Sequence, residues 1–218
     1  NNQLDKFQNE KVINCTVFGT GLQAFWHIFS CIQLFREKND CSEFNICILY
    51  RSSKMNLTQF DEMLDDINLT FNQIPLSDTQ SVSSAISKSH VIFGCVPSLE
   101  PNLTYDLLAD INSQVTHTYV SLIGSYKPEM HECDSKLVNE FKAQKVPILV
   151  DSKEHTLLES GELIDASVKE DELIEIGHLT ESLKPITLKE NGRTVSLCKI
   201  VGLAIMDLCI AKKFLEGM

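Results

Sequence analysis

Hydrophobic positions fall along this chain in two kinds of block. Short apolar runs at residues 12–18, 45–49, 69–74, 90–95, 115–123 and 146–151 read as buried strands, the fifth supplied with the β-branched residues Thr116, Thr118 and Val120. Between them, the spacing predicts helices over 22–34, 55–67, 81–89, 105–111, 135–144 and 153–160. Serines precede the second helix, Asp134 caps the fifth, and Gly161 is a suitable C-terminal stop for the sixth. No Asn-Gly turn separates neighbouring strands, so a parallel sheet with helices on both faces is expected, a doubly wound α/β fold with right-handed crossovers. The Asn191-Gly192 pair reads as a late loop turn. Beyond it, residues 195–215 read as one long helix lying outside the sheet, with Gly202 in its interior.

Composition narrows what such a fold meets. With 19 Lys and Arg against 30 Asp and Glu, the formal net charge is -11. That balance argues against nucleic acid or an anionic membrane as partner, because nothing offsets phosphate repulsion. The longest apolar candidate for a membrane span, 200–210, is interrupted by Asp207, and no signal-peptide pattern opens the chain. Eight cysteines lie mostly within apolar segments without CxxC pairs, which reads as a reducing, cytoplasmic setting. The chain opens at Asn1 in a polar stretch resembling the tail of a helix, and is expected to be a piece of a longer protein.

The chemistry is concentrated after the first strand. Gly19-Thr20-Gly21-Leu22-Gln23-Ala24 forms GxGxxA between a predicted strand and a predicted helix. The first glycine permits a tight turn, and the second clears room for a pyrophosphate. The alanine lets helix and strand approach, and the helix N-terminus offers free N–H groups to phosphate. The turn therefore predicts a Rossmann-type dinucleotide site. The end of the second strand selects the cofactor. Where an NAD site places Asp or Glu for the ribose, this chain has Arg51-Ser52-Ser53-Lys54, which suits a 2′-phosphate, so NADP(H) is expected over NAD(H).

Four further stretches join these motifs in a resemblance to the ornithine cyclodeaminase and mu-crystallin family, closer to its mu-crystallin-like members. They are Val96-Pro97-Ser98-Leu99-Glu100-Pro101, the run from Ile123-Gly124-Ser125-Tyr126 to Met130, the segment from Val150-Asp151-Ser152 to Glu159-Ser160-Gly161, and the stretch from Thr194 to Asp207. The resemblance implies that Val96, Pro97, Ser98, Ile123 and Gly124 line the cofactor together with Gly19, Gly21, Leu22, Gln23, Arg51 and Ser52. It also implies a Rossmann domain over 1–190. A C-terminal helical segment over 191–218 would return to a dimerisation and substrate domain that largely precedes this chain, with a homodimer as the intact state.

On the substrate side, the resemblance implies three candidates. Tyr126 stands where cyclodeaminases carry their catalytic aspartate, and a phenol with a pKa near ~10 is a poor general base at neutral pH. Cyclodeamination is thereby disfavoured. Glu159 matches a ligand-side carboxylate or is a surface glutamate. Lys199 lies beside the nicotinamide or on a helix surface. Three functions follow in order: an NADPH-dependent reductase of a cyclic imine or oxidoreductase of an amino acid, a non-catalytic NADP(H)-binding protein, and an ornithine cyclodeaminase. His131-Glu132-Cys133 reads as loop surface and His27 as a packing residue. No metal-ligand spacing or GxSxG elbow occurs.

Overall fold

A computed structural model describes residues 4–39, 41–64, 67–179 and 183–217. Residues 65 and 66, within the predicted second helix, lie outside that set. The described residues build one nine-stranded sheet with helices on both faces. The first half alternates β1 (Val12–Phe18), α1 (Leu22–Asn39), β2 (Glu43–Tyr50), α2 (Thr58–Met63), β3 (Asn68–Pro75), α3 (Thr79–Ser87), β4 (Val91–Gly94) and α4 (Tyr105–Leu108). The second continues with β5 (His117–Leu122), α5 (Ser135–Ala143), β6 (Ile148–Val150), α6 (Lys153–Glu159), α7 (Gly161–Asp165), β7 (Leu173–Glu175), β8 (Ile186–Thr187), β9 (Thr194–Lys199) and α8 (Ala204–Glu216).

The strand order is β3-β2-β1-β4-β5-β9-β6-β7, with β8 paired antiparallel to β9. Every other pair is parallel. The path leaves β1 toward β3 on one side and resumes at β4 on the other, which opens a crevice at the C-terminal ends of β1 and β4. Strand alternation divides the core in two. Val17 and Ile48 face Ile28, Ile32 and Phe60 of α1 and α2. Phe18 and Leu49 join Val82, Ile86, Leu137 and Phe141 on the opposite face. A sheet covered on both faces explains the nearly continuous apolar runs of β1 and β4. The edge strand β3 instead alternates exposed and half-buried positions.

The doubly wound fold and its C-terminal helix match the sequence reading, and two local readings are corrected. Residues 194–199, expected in the helical segment beyond residue 190, form β9 inside the sheet between β5 and β6. The helix starts only at Ala204, because Gly202 adopts a φ of +89° that ends the extended segment. Asn191-Gly192, with Gly192 at φ +72°, turns the β8–β9 hairpin. Gly161 does not stop α6 in a left-handed conformation. It opens α7, packed where a Cβ would strike the carbonyl oxygens of Pro128 and Met130. The Asp134 cap is formed, its side chain accepting from Leu137 N at 3.1 Å.

Candidate functional site

The C-terminal ends of the central strands bring the sequence candidates to one edge. Gly19 N donates to Leu49 O at 2.9 Å, Cys95 N to Phe18 O at 3.0 Å, Ile123 N to Gly94 O at 2.9 Å and Ile200 N to Leu122 O at 2.9 Å. These bonds carry the ladder one step past the strands and hold four loops side by side. Gly19 has φ +118°, and a Cβ there would meet Val96 Cγ1 at 2.8 Å. A Cβ on Gly21 would meet nothing within 4 Å. The turn thus closes tightly against β4 at its first glycine and stays open to the crevice at its second, where Leu22 and Gln23 are exposed at the start of the 18-residue α1. Ala24 is fully buried beneath them.

This is the shape a dinucleotide pyrophosphate requires: open space, an approachable backbone and unpaired N–H groups of a helix's first turn. Arg51, Ser52, Ser53 and Lys54 are all exposed after β2. Arg51 Nη2 makes a long contact of 3.5 Å with Ser98 Oγ, which itself donates to Glu100 O at 2.6 Å. A recess of about 260 Å³ lies there, lined by Arg51, Pro97, Ser98, Leu99, Glu100 and Met130. Gly124 seals the next loop, since a Cβ would run into the Val96 carbonyl oxygen. The glycine turn, the Val96–Ser98 loop and the Ile123–Gly124 loop therefore form one contiguous crevice edge. Burial first, and Glu132 second, push the Cys95 thiol at this edge up to about 12, so it carries no thiolate.

The substrate-side candidates part company. Tyr126 is exposed, with Lys127 Nζ 5.8 Å from its ring centroid. Glu159 ends α6 half-buried. Lys199, expected on a helix, ends β9 and is fully buried. Its Nζ donates to Glu132 Oε2 at 2.7 Å and to Ser125 O at 3.0 Å, and it stands 3.4 Å from Glu162 Oε1, outside hydrogen-bond geometry. It is Glu162, three residues past Glu159, that reaches the lysine. Burial lowers the Lys199 ammonium, but Glu132 and Glu162 outweigh it and hold the group above its ordinary value. Burial raises the Glu132 carboxyl, against the opposing pull of Lys199 and the Ser125 N–H.

Glu132 and Cys133 are buried rather than on a loop surface as expected, because the loop turns inward to pair Leu103 with Cys133. His131 stays partly exposed, its Nε2 at 2.8 Å from Asp165 Oδ2. His27 packs on Phe93 and bonds Gln23 O, as expected of a packing residue. Among the described residues no group of His, Cys, Asp and Glu side chains is arranged to hold a metal ion, and no helix is long and apolar enough to cross a membrane.

Fold and glycine turn together define a doubly wound, Rossmann-type α/β unit. No family model matches the chain. It is 48% identical over 219 aligned positions to an uncharacterized Saccharomyces cerevisiae protein, covering 92% of this chain and 58% of the relative. It is 24% identical over 168 residues to a Δ1-pyrroline-2-carboxylate reductase of Colwellia psychrerythraea, covering 75% of this chain and 49% of that enzyme. A reductase of the same name from Bacillus cereus is 26% identical over 175 residues, 78% of this chain and 48% of the enzyme. The chain spans about half the length of these relatives. This homology to the pyrroline-carboxylate reductases supports the family-level part of the resemblance drawn from the motifs.

Proposed function

We propose that this chain is the dinucleotide-binding part of an NAD(P)-dependent oxidoreductase, and more narrowly that it holds NADP(H) and serves reduction of a cyclic imine by a mu-crystallin-like protein. The carrying observation is the crevice edge: Gly19 closed on Val96, Gly21 open, and a carboxylate-free Arg51–Lys54 loop in the position that reads the adenosine ribose. The homology to reductases of a cyclic imine supports the oxidoreductase reading and suggests Δ1-pyrroline-2-carboxylate or a similar ketimine as substrate. Bound there, the cofactor supplies the hydride. The chain's own residues would hold that cofactor: the first turn of α1 would take the pyrophosphate, Arg51 and Ser52 would pair with the 2′-phosphate, and the 96–98 and 123–124 loops would floor the nicotinamide half. Tyr126 and Glu159 are the side chains proposed to face substrate. The intact protein is proposed to be a homodimer.

A second reading is NADP(H) binding without turnover, with which Tyr126 at the cyclodeaminase aspartate position is equally compatible. Calorimetric titration of the full-length protein with NADPH and NADH, followed by assay of Δ1-pyrroline-2-carboxylate reduction, separates these readings. Tighter NADPH binding, weakened about tenfold or more by Arg51→Asp through lost charge-assisted bonds, is expected. Preference for NADH sinks the 2′-phosphate assignment, and NADPH binding with no imine reduction favours the second reading.

A further inference from the structure

Ser125 directly follows the crevice-edge Gly124, and all its polar atoms are held by buried ions. Its N–H donates to Glu132 Oε2 at 3.0 Å, its Oγ donates to Glu162 Oε2 at 3.1 Å, and its carbonyl accepts from Lys199 Nζ at 3.0 Å. Ser125, Glu132, Glu162 and Lys199 are each at most 2% exposed. The ions come from three separate places in the chain: the loop before α5, the helix α7 and the end of β9. Glu132 also underlies β4, since a Cβ on Gly94 would lie 2.5 Å from its Oε1. Among the described residues, that oxygen and Glu162 Oε1 have no hydrogen-bond donor, Lys199 Nζ standing 3.4 Å from the latter.

Buried ion clusters seldom add net stability over well-packed apolar residues of the same volume, because desolvation offsets the attraction. What ions do that apolar groups cannot is fix a direction. Here three of those directed contacts converge on one residue, Ser125, at its N–H, its hydroxyl and its carbonyl. With Gly124 packed directly against the Val96 backbone, the 94–96 and 123–125 loops form one contiguous floor. In a doubly wound sheet whose β1–β3 half takes the adenosine, the β4–β5 ends lie under the reacting half of the dinucleotide.

We propose that Lys199, Glu132 and Glu162 are positioning residues that fix the Gly124–Ser125 backbone beneath the nicotinamide half of the crevice, governing how the reacting ring is presented rather than how tightly the whole cofactor binds. This rests on the dinucleotide reading above. Ser125→Ala removes one of the three tethers and leaves the ions in place. Lys199→Met removes the ammonium that joins them. In the full-length protein, Ser125→Ala is expected to speed amide exchange at residues 124–126 and lower kcat for Δ1-pyrroline-2-carboxylate reduction, each about tenfold, by loosening a positioned floor. NADPH affinity is expected to stay within about twofold, since phosphate contacts at α1 carry it. Lys199→Met, where it folds, is expected to speed exchange more and lower kcat further than Ser125→Ala, with the same spared affinity.

A folded Ser125→Ala protein with unchanged exchange and kcat overturns the proposal. So does NADPH affinity falling in step with kcat, which marks a general structural role. A parent that binds NADPH without reducing the imine refutes the reductase reading instead. In that case, exchange at 124–126 and the fluorescence of bound NADPH decide the positioning role: a change in both upholds it, and constancy of either overturns it. A parent that binds neither dinucleotide overturns both.

Discussion

Gly21 and Gly124 stand on the same crevice edge and answer substitution oppositely. A methyl at Gly21 enters open space, where the pyrophosphate is proposed to lie. Gly21→Ala should leave unfolding free energy within about 0.5 kcal/mol of the parent while weakening NADPH binding. A methyl at Gly124 meets backbone of Val96, which cannot rotate away. Gly124→Ala should destabilise the fold by about 1–3 kcal/mol, as overpacking does, and weaken NADPH too. Urea denaturation beside calorimetric titration checks both; equal stability loss at the two sites would refute the distinction. A third residue sets an acid limit. Burial foremost, then Lys6, Arg193 and His90, lower His117 from 6.5 to about 3. Its Nδ1 is 2.8 Å from Thr194 Oγ1, and its buried Nε2 has no hydrogen-bond partner among the described residues. Folding therefore favours the neutral ring. Below about 6.5 the unfolded chain takes up the proton first, so this contribution is complete above that pH and is lost progressively as pH falls toward about 3. The lowered His90 acts in the same sense. His117→Gln should flatten the fall in urea midpoint between pH 7 and about pH 5; an unchanged slope would exclude His117 as a source.

At the scale of elements, the strands whose apolar runs were bounded by turns or by a change of period were legible, and the short β7 and β8 and the longer β9 were not. Val195, Leu197, Cys198, Ile200, Val201 and Leu203 keep the segment mostly apolar as it runs into α8, and periodicity does not separate a buried strand from a buried helix there. The overlooked signal was local: Asn191-Gly192 is a hairpin dipeptide, and Gly202 is a break. The glycine turn and its flanking loops were legible because their chemistry is backbone chemistry written in glycine. The Glu132–Lys199–Glu162 cluster was not, because three distant segments meet only once β9 enters the sheet. Arg193 escaped for the same reason. It is buried just before β9, donating through Nε to Thr118 Oγ1 at 2.7 Å and through Nη2 to Ile86 O and Ser89 O, both at 2.9 Å. It ties the end of α3 and the following turn to β5 and β9 without facing the crevice. Arg193→Met should leave these acceptors short of donors and cost roughly 2–4 kcal/mol, read as a lower urea midpoint. NADPH affinity measured below the unfolding range should be preserved, and its loss in a folded variant would place Arg193 in the site.

The molecule as a whole presents a helix that nothing in the described chain covers. α8 carries Ile205, Met206, Leu208, Ile210, Phe214 and Leu215, all exposed, and no residue of it is buried. Thirteen residues are marginal for an isolated helix in water, so α8 needs a packing partner to persist. Its approach is nonetheless fixed: Asp151, at the end of β6, accepts from Gly202 N at 2.8 Å and from Val201 N at 3.4 Å. A firmly anchored root and an uncovered apolar body suit the proposed homodimer, in which the family resemblance assigns this helix to the shared domain. Leu208→Glu with Phe214→Glu adds two charges to exposed apolar positions and touches neither the sheet nor the crevice. The double variant should shift the unfolding free energy of the sheet domain by no more than about 0.5 kcal/mol per site. In sedimentation of the full-length protein it should convert dimer to monomer, because buried charge at an apolar interface has no partner. A dimer that survives both glutamates would place the subunit interface elsewhere and leave α8 to cover another part of its own chain.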